Sequence, residues 1–207
     1  MAHFSQYDPA ALVLVDPVPG ARSTSAIWGA HGGPVRTFLA GPQDPMTSPW
    51  NPGAYPGSAQ GGRATMTVFC PPPLRAWMEK LEERILEILQ ERADRYSPNP
   101  EVAMGTMWHS NLKELKNGQT GLRLKITLPP HAYEVNCWDT RRNKIPYPET
   151  LAGATVIPHV WVRHVWFSPG AIGLQLDVTD LMIVAAAPPG PLCPWSEAQE
   201  DEAVEQI

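Results

Sequence analysis

LAGATVIPHVWVRHVWFSPGAIGLQLDVTDLMIVAAA, residues 151–187, reads as strand, turn, strand, and its reading decides the fold class. Strands are predicted near 154–167 and 171–186, joined at Ser168-Pro169-Gly170, where glycine supplies the backbone freedom a tight turn needs. Side chains alternate between the two faces of a strand. In 160–167 that alternation puts Val160, Val162, His164 and Trp166 on one face and Trp161, Arg163, Val165 and Phe167 on the other. Both faces carry large residues, so this strand is central in its sheet or offers one face to a ligand.

Further strand signals lie upstream, near 11–15, 64–70, 102–109, 122–128 and 132–138, with turns at Asn117-Gly118 and Asn143-Lys144. Between the second and third of these, Pro71-Pro72-Pro73 opens a helix over 74–95. Leu74, Trp77, Met78, Leu81, Ile85, Ile88 and Leu89 recur at helical spacing on one side, with Glu79, Glu82, Glu83, Arg84 and Glu87 mostly on the other. Residues 25–62 are rich in Gly, Pro, Ser and Gln, and read as an irregular arm carrying Trp28, Phe38, Trp50 and Tyr55. The expected fold is mainly β with one long helix: a small, closed antiparallel barrel of the oligonucleotide-binding type. A sandwich is the alternative. Residues 1–62 would form an N-terminal strand and arm, 63–187 the barrel with its inserted helix, and 188–207 a Pro/Gly linker and acidic disordered tail.

Composition narrows the function. The formal charge of the 207 residues is -5, but Glu197, Glu200, Asp201, Glu202 and Glu205 account for all of it. From Gly105 to Val184 eight Lys and Arg face six acids, which is weakly basic and permits a nucleic-acid partner without demanding one. Three widely spaced cysteines, Cys70, Cys137 and Cys193, form no CxxC and no metal-ligand spacing, so no metal or cofactor is expected and a reducing intracellular compartment fits. No apolar run reaches the length of a membrane span. There is no phosphate loop, no HExxH and no GxSxG, and no catalytic residue is assigned.

What stands out is aromatic and basic. Rings stacked under bases and cations along phosphates are how single-stranded nucleic acid is held. Trp108, Tyr133, Trp138, Tyr147, Trp161, Trp166 and Phe167 share the β-region with Arg123, Lys125, Arg141, Arg142, Lys144 and Arg163. The alternation of 122–128 sets Arg123 and Lys125 on one exposed face, where they suit phosphates. Arg141, Arg142 and Lys144 lie on a hairpin loop. Trp161 shares its face with Arg163 and is expected to stack; Trp166 shares its face with Val160 and Val162 and is expected to pack in the core. The predicted nucleic-acid site is Arg123, Lys125, Tyr133, Trp138, Arg141, Arg142, Lys144, Trp161 and Arg163. The tail from Ser196, ending at Ile207, is expected to compete with DNA for the basic groove and to dock partner proteins.

Residues 121–184 also resemble the C-terminal half of the oligonucleotide-binding-fold single-stranded DNA-binding proteins of tailed phages and large DNA viruses. The resemblance rests on Gly121-Leu-Arg-Leu-Lys-Ile126, Leu151-Ala-Gly153, Val165-Trp166-Phe167 and Gly173-Leu-Gln-Leu176, with Val178 and Ile183 closing the strand. It implies sequence-independent coating of single-stranded DNA in replication or recombination, with no enzymatic activity. It also implies an acidic tail compatible with a homo-oligomer and with replication or recombination proteins as partners. The expected setting is the cytoplasm or nucleus of a host cell. A reading of a different class is a viral structural or assembly protein that uses the 25–62 arm for oligomer contacts.

Overall fold

The computed structural model describes residues 2–15, 24–29, 32–54, 62–91, 107–131, 133–168 and 170–186. Its spine is the expected hairpin. In chain order the strands are β1 (Val13–Leu14), β2 (Thr24–Trp28), β3 (Val35–Phe38), β4 (Met46–Thr47), β5 (Gly53–Ala54) and β6 (Arg63–Phe69). After helix α1 (Pro72–Glu91) come β7 (Met107–His109), β8 (Leu112–Glu114), β9 (Thr120–Thr127), β10 (Asn136–Trp138), β11 (Lys144–Ile145), β12 (Thr155–Ser168) and β13 (Ala171–Ala185). β12 and β13 pair antiparallel over nearly their whole length, and Gly170 at the turn takes φ 74°.

Both strands are long enough to serve several partners in succession. The free edge of β12 receives β4 at Thr155, β3 at His159–Val162 and β2 at His164–Trp166. The free edge of β13 receives β7, β9 and β10, all parallel. β9 continues outward to β6 and β6 to β5. The strand order β1-β2-β12-β13-β9-β6-β5 does not return on itself among the described residues, so the expected closed antiparallel barrel is here an open mixed sheet. Pro158 sits inside β12 without breaking it. Its carbonyl accepts from Leu39 N at 3.0 Å, so its missing N–H faces Leu39, just past the end of β3, and the ladder to β13 loses no donor.

The inner face is apolar and continuous. Val160, Val162 and Val165 of β12, Leu174, Leu176 and Val178 of β13, Leu122, Leu124 and Ile126 of β9, and Met66 and Val68 of β6 join one buried cluster. Helix α1 adds Leu74, Trp77, Met78, Leu81, Ile85, Ile88 and Leu89, as its periodicity predicts. The helix begins at Pro72, two residues before the expected start, because prolines at its first positions need no N–H partner; residues 92–95 lie outside the described residues. Glu82 corrects the expected polar side of α1. It is buried, and its carboxylate accepts from Trp108 Nε1 at 2.9 Å and from Asn111 N at 3.0 Å, tying the helix to the β7–β8 turn.

Three further readings are corrected. Part of the stretch 25–62 read as irregular supplies β2 to β5, which extend the same sheet. Of the strand expected over 132–138, the described residues form strand at Asn136–Trp138, and residue 132 lies outside them. The faces of β12 also change beyond Val162. Irregularities lie at His159/Val160 and Val162/His164, and at the second an extra residue in β12 moves Val165 to the core side and His164 and Trp166 to the opposite side. Strict alternation therefore fails for His159 against His164, and for Trp166.

Candidate nucleic-acid interface

The outer face of the β12–β13 hairpin gathers cations from strands far apart in sequence. One cross-strand row runs Arg36, Trp161, Asp177 through β3, β12 and β13, and Lys125 of β9 is the parallel neighbour of Asp177. The guanidinium carbons of Arg36 and Arg163 lie 5.1 and 5.0 Å from the Trp161 ring centroid, a cation–π arrangement. The indole Nε1 finds no acceptor among the described residues, so these cations rather than a hydrogen bond hold the ring.

Asp177 organises the floor. Its Oδ2 accepts from Arg163 Nη1 at 2.7 Å and lies 3.7 Å from Arg63 Nη2, while Oδ1 accepts from Gln175 Nε2 at 2.8 Å. Lys125 Nζ donates to Thr65 Oγ1 at 3.3 Å, and burial lowers its pKa against the opposing pull of Asp177. The result is a groove of about 1230 Å³. Its cations are Arg36, Arg63, Lys125, Lys144 and Arg163, set against the carboxylates of Glu134 and Asp177, with Trp161, His131 and Tyr133 as its rings. Tyr133 is 84% exposed at the rim, beside His131 at 6.0 Å between centroids.

Five of the residues singled out from sequence thus come together: Lys125, Tyr133, Lys144, Trp161 and Arg163. Four do not. Arg123 is half-buried rather than on an exposed face, and its Nη2 donates to Ser110 O at 2.5 Å. Trp138 and Arg142 line a separate cavity, and Arg141 is exposed on the loop without lining the groove. Glu197, Glu200, Asp201, Glu202, Glu205 and Ile207 lie outside the described residues. Arg36, Arg63 and His131 are groove residues the sequence reading missed. Arg63 heads an alternating strand and was legible there; Arg36 was hidden by the loop-like composition around it.

Trp166 is corrected from core side chain to groove-face side chain. Gly173, its cross-strand partner, lies on the same face of β13 as Gln175 and Asp177, and a Cβ there would fall 2.5 Å from the Trp166 ring. His109 lies 6.0 Å away between centroids. His164 is on this face too, and burial followed by the charge of Arg163 lowers its pKa, favouring the neutral ring. From Trp166 to Trp161 one face therefore carries rings and cations in sequence.

Among the described residues no group of three His, Cys, Asp or Glu is placed to hold a metal ion, and no helix is long and apolar enough to cross a membrane. Cys70 and Cys137 are buried, which pushes their thiols up to about 12 and about 11 and makes them poor nucleophiles.

No family model matches this sequence, and no curated protein matches it. Solved structures similar to this chain include single-stranded DNA-binding proteins of bacteriophages. The crystal structure of gp2.5, a single-stranded DNA-binding protein encoded by bacteriophage T7, has a TM-score of 0.54 at 14% identity, over 84% of this chain and 96% of that one. The single-stranded DNA-binding protein of bacteriophage Enc34, in complex with single-stranded DNA, has a TM-score of 0.46 at 12% identity, over 87% of this chain and 98% of that one.

Proposed function

We propose that this protein binds single-stranded DNA without sequence preference along the groove of β3, β6, β9, β12 and β13. The observation that carries the reading is the cluster Arg36, Trp161, Arg163, with two guanidinium groups against one indole above a floor that adds Arg63 and Lys125. Flat cations and rings stack bases of any identity, and the same cations meet the phosphates. No base-edge reader is needed. The strand meets a guanidinium–indole stack at Trp161 rather than a bare ring. The fold shared with gp2.5 of bacteriophage T7, itself a single-stranded DNA-binding protein, supports the reading.

The finer parts of the proposal rest on sequence. The protein acts as a non-enzymatic coat for single-stranded DNA in phage replication or recombination, inside the host cell. The acidic segment Glu197–Ile207 competes with phosphate for the groove and docks replication or recombination proteins. The test is a band-shift series with single-stranded DNA, duplex DNA and RNA of matched length. The reading expects retention of single strands of any sequence and weak retention of duplex. Preferential retention of duplex, or no retention at all, overturns it.

A further inference from the structure

The groove face does not end at Trp161. Two residues earlier on β12, roughly 7 Å along the strand, the next cross-strand row is Phe38, His159, Asp180. It lines a second cavity of about 570 Å³, within the range of pockets that take a small organic group, roughly 300–1,000 Å³. The rings of Phe38 and His159 lie 4.8 Å apart between centroids, and Trp138 and Met182 complete the wall. The two sites share a partition, because Lys144 of the groove is the β-partner of Trp138 in the cavity.

The polar groups of this cavity are largely spent on each other. Asp180 Oδ1 accepts from Trp138 Nε1 at 3.1 Å and from Asn136 Nδ2 at 3.3 Å. Asp180 Oδ2 lies 3.2 Å from His159 Nδ1, which is 2.9 Å from Thr179 Oγ1. These contacts fix the Trp138 and His159 rings and occupy the carboxylate. What the cavity offers an incoming group is aromatic and thioether surface.

The cation here is Arg142. Among the described residues it is the non-glycine residue at positive φ, 66°. The turn that holds it is built by Asp139, which accepts from Asn143 N at 2.8 Å, from Asn143 Nδ2 at 2.9 Å and, through its carbonyl, from Arg142 N at 3.0 Å. Glycine or asparagine is the usual occupant of such a position. An arginine stands there instead, and it lines the cavity.

We propose, resting on the reading of the groove as a single-strand path, that this cavity is the path's end subsite, taking one unstacked nucleobase against Phe38, His159 and Trp138 with its phosphate on Arg142. The charge fits a phosphate, the walls fit a base, and the cavity continues the face that carries the groove. The occupant is a nucleotide of the same bound strand.

The test uses the full chain and labelled oligothymidylates lengthened one nucleotide at a time, read by fluorescence anisotropy. Arg142→Gly removes the cation and relaxes the left-handed residue, so its melting temperature should not fall; Phe38→Leu removes a wall. In both variants affinity should stop rising one nucleotide earlier than in the unaltered protein, with about a 10-fold loss on long oligonucleotides, the size of one stacked base. The shortest oligonucleotides that bind should bind equally. Equal binding at every length, as when the cavity takes an apolar side chain of a protein partner, overturns the subsite and leaves the groove standing. A loss uniform across lengths also overturns it. Failure of the unaltered protein to bind any length overturns the groove reading and the subsite together.

Discussion

Trp166 lies over Gly173, its partner across the β12–β13 ladder, so closely that a single added carbon at position 173 would fall 2.5 Å from the ring. The extra residue in β12 near Arg163 is what brings the indole to this face. Gly173→Ala should therefore cost about 1–3 kcal/mol, the usual size of an overpacking strain. In a Trp166→Ala background the same change should cost under about 0.5 kcal/mol, since the clash is gone. A double-mutant cycle by urea unfolding checks the coupling, and additive costs would mean that the ring does not cover Gly173.

Arg123 and Lys125 sit two apart on β9 but should behave differently. Lys125 lines the groove, so Lys125→Ala should lower the slope of log K against log salt by about 0.7, one single-strand phosphate contact. Arg123 is committed to Ser110 O. Arg123→Ala should leave that slope unchanged and reduce stability by about 1 kcal/mol, after allowing for its partial exposure. Anisotropy titrations and thermal melting of the two variants separate the roles.

Asp180 makes the fold acid-sensitive. The hydrogen bond with His159, helped by Trp138 and opposed by burial, holds its carboxyl at about 2, below the ordinary 3.8. A carboxylate with a depressed pKa stabilises the fold above its unfolded pKa and loses that contribution as pH falls through the folded one. Stability should drop by about 1 kcal/mol between pH 4 and pH 2 through this group, a figure reduced for its partial exposure. Asp180→Asn should flatten that part of the curve in denaturant titrations at stepped pH; an unchanged curve would assign the acid limb to other groups.

Deleting residues 196–207 should leave the melting temperature unchanged and tighten single-stranded DNA binding at low salt several-fold. The segment carries five acids and no base, and under the proposed competition these acids raise the negative charge that phosphate meets at the groove. Equal affinities for the full and shortened chains below about 50 mM salt would remove the competition model.

The hairpin, the helix and the alternating β6 and β9 were legible because each rests on a local period of 2 or 3.6 residues. What was not legible depends on distant partners. The composition of 25–62 hides β3, whose four residues become a strand by pairing with β12, and Arg36 enters the groove with them. The inward turn of Glu82 depends on Trp108 and Asn111, which sequence spacing does not connect to the helix. Trp166 was misplaced for a different reason. One extra residue near Arg163 shifts every later side chain by one face, and neither proline nor glycine marks that spot in the sequence. Trp161, upstream of that irregularity, kept the face its alternation gave it.

The central claim is that the cations around Trp161 meet the phosphates of a single strand. Arg36 and Arg63 test it most directly, since Arg36 is exposed, Arg63 is about half exposed, and neither belongs to the apolar core. The measurement is anisotropy of a labelled single-stranded oligonucleotide across a salt series, for the unaltered protein and for the Arg36→Ala, Arg63→Ala double variant. The unaltered slope should be about -2 to -3.5 for three to five phosphate contacts, and the variant slope shallower by about 1.4. The same slope and affinity in both proteins would contradict the assignment of this groove as the DNA path.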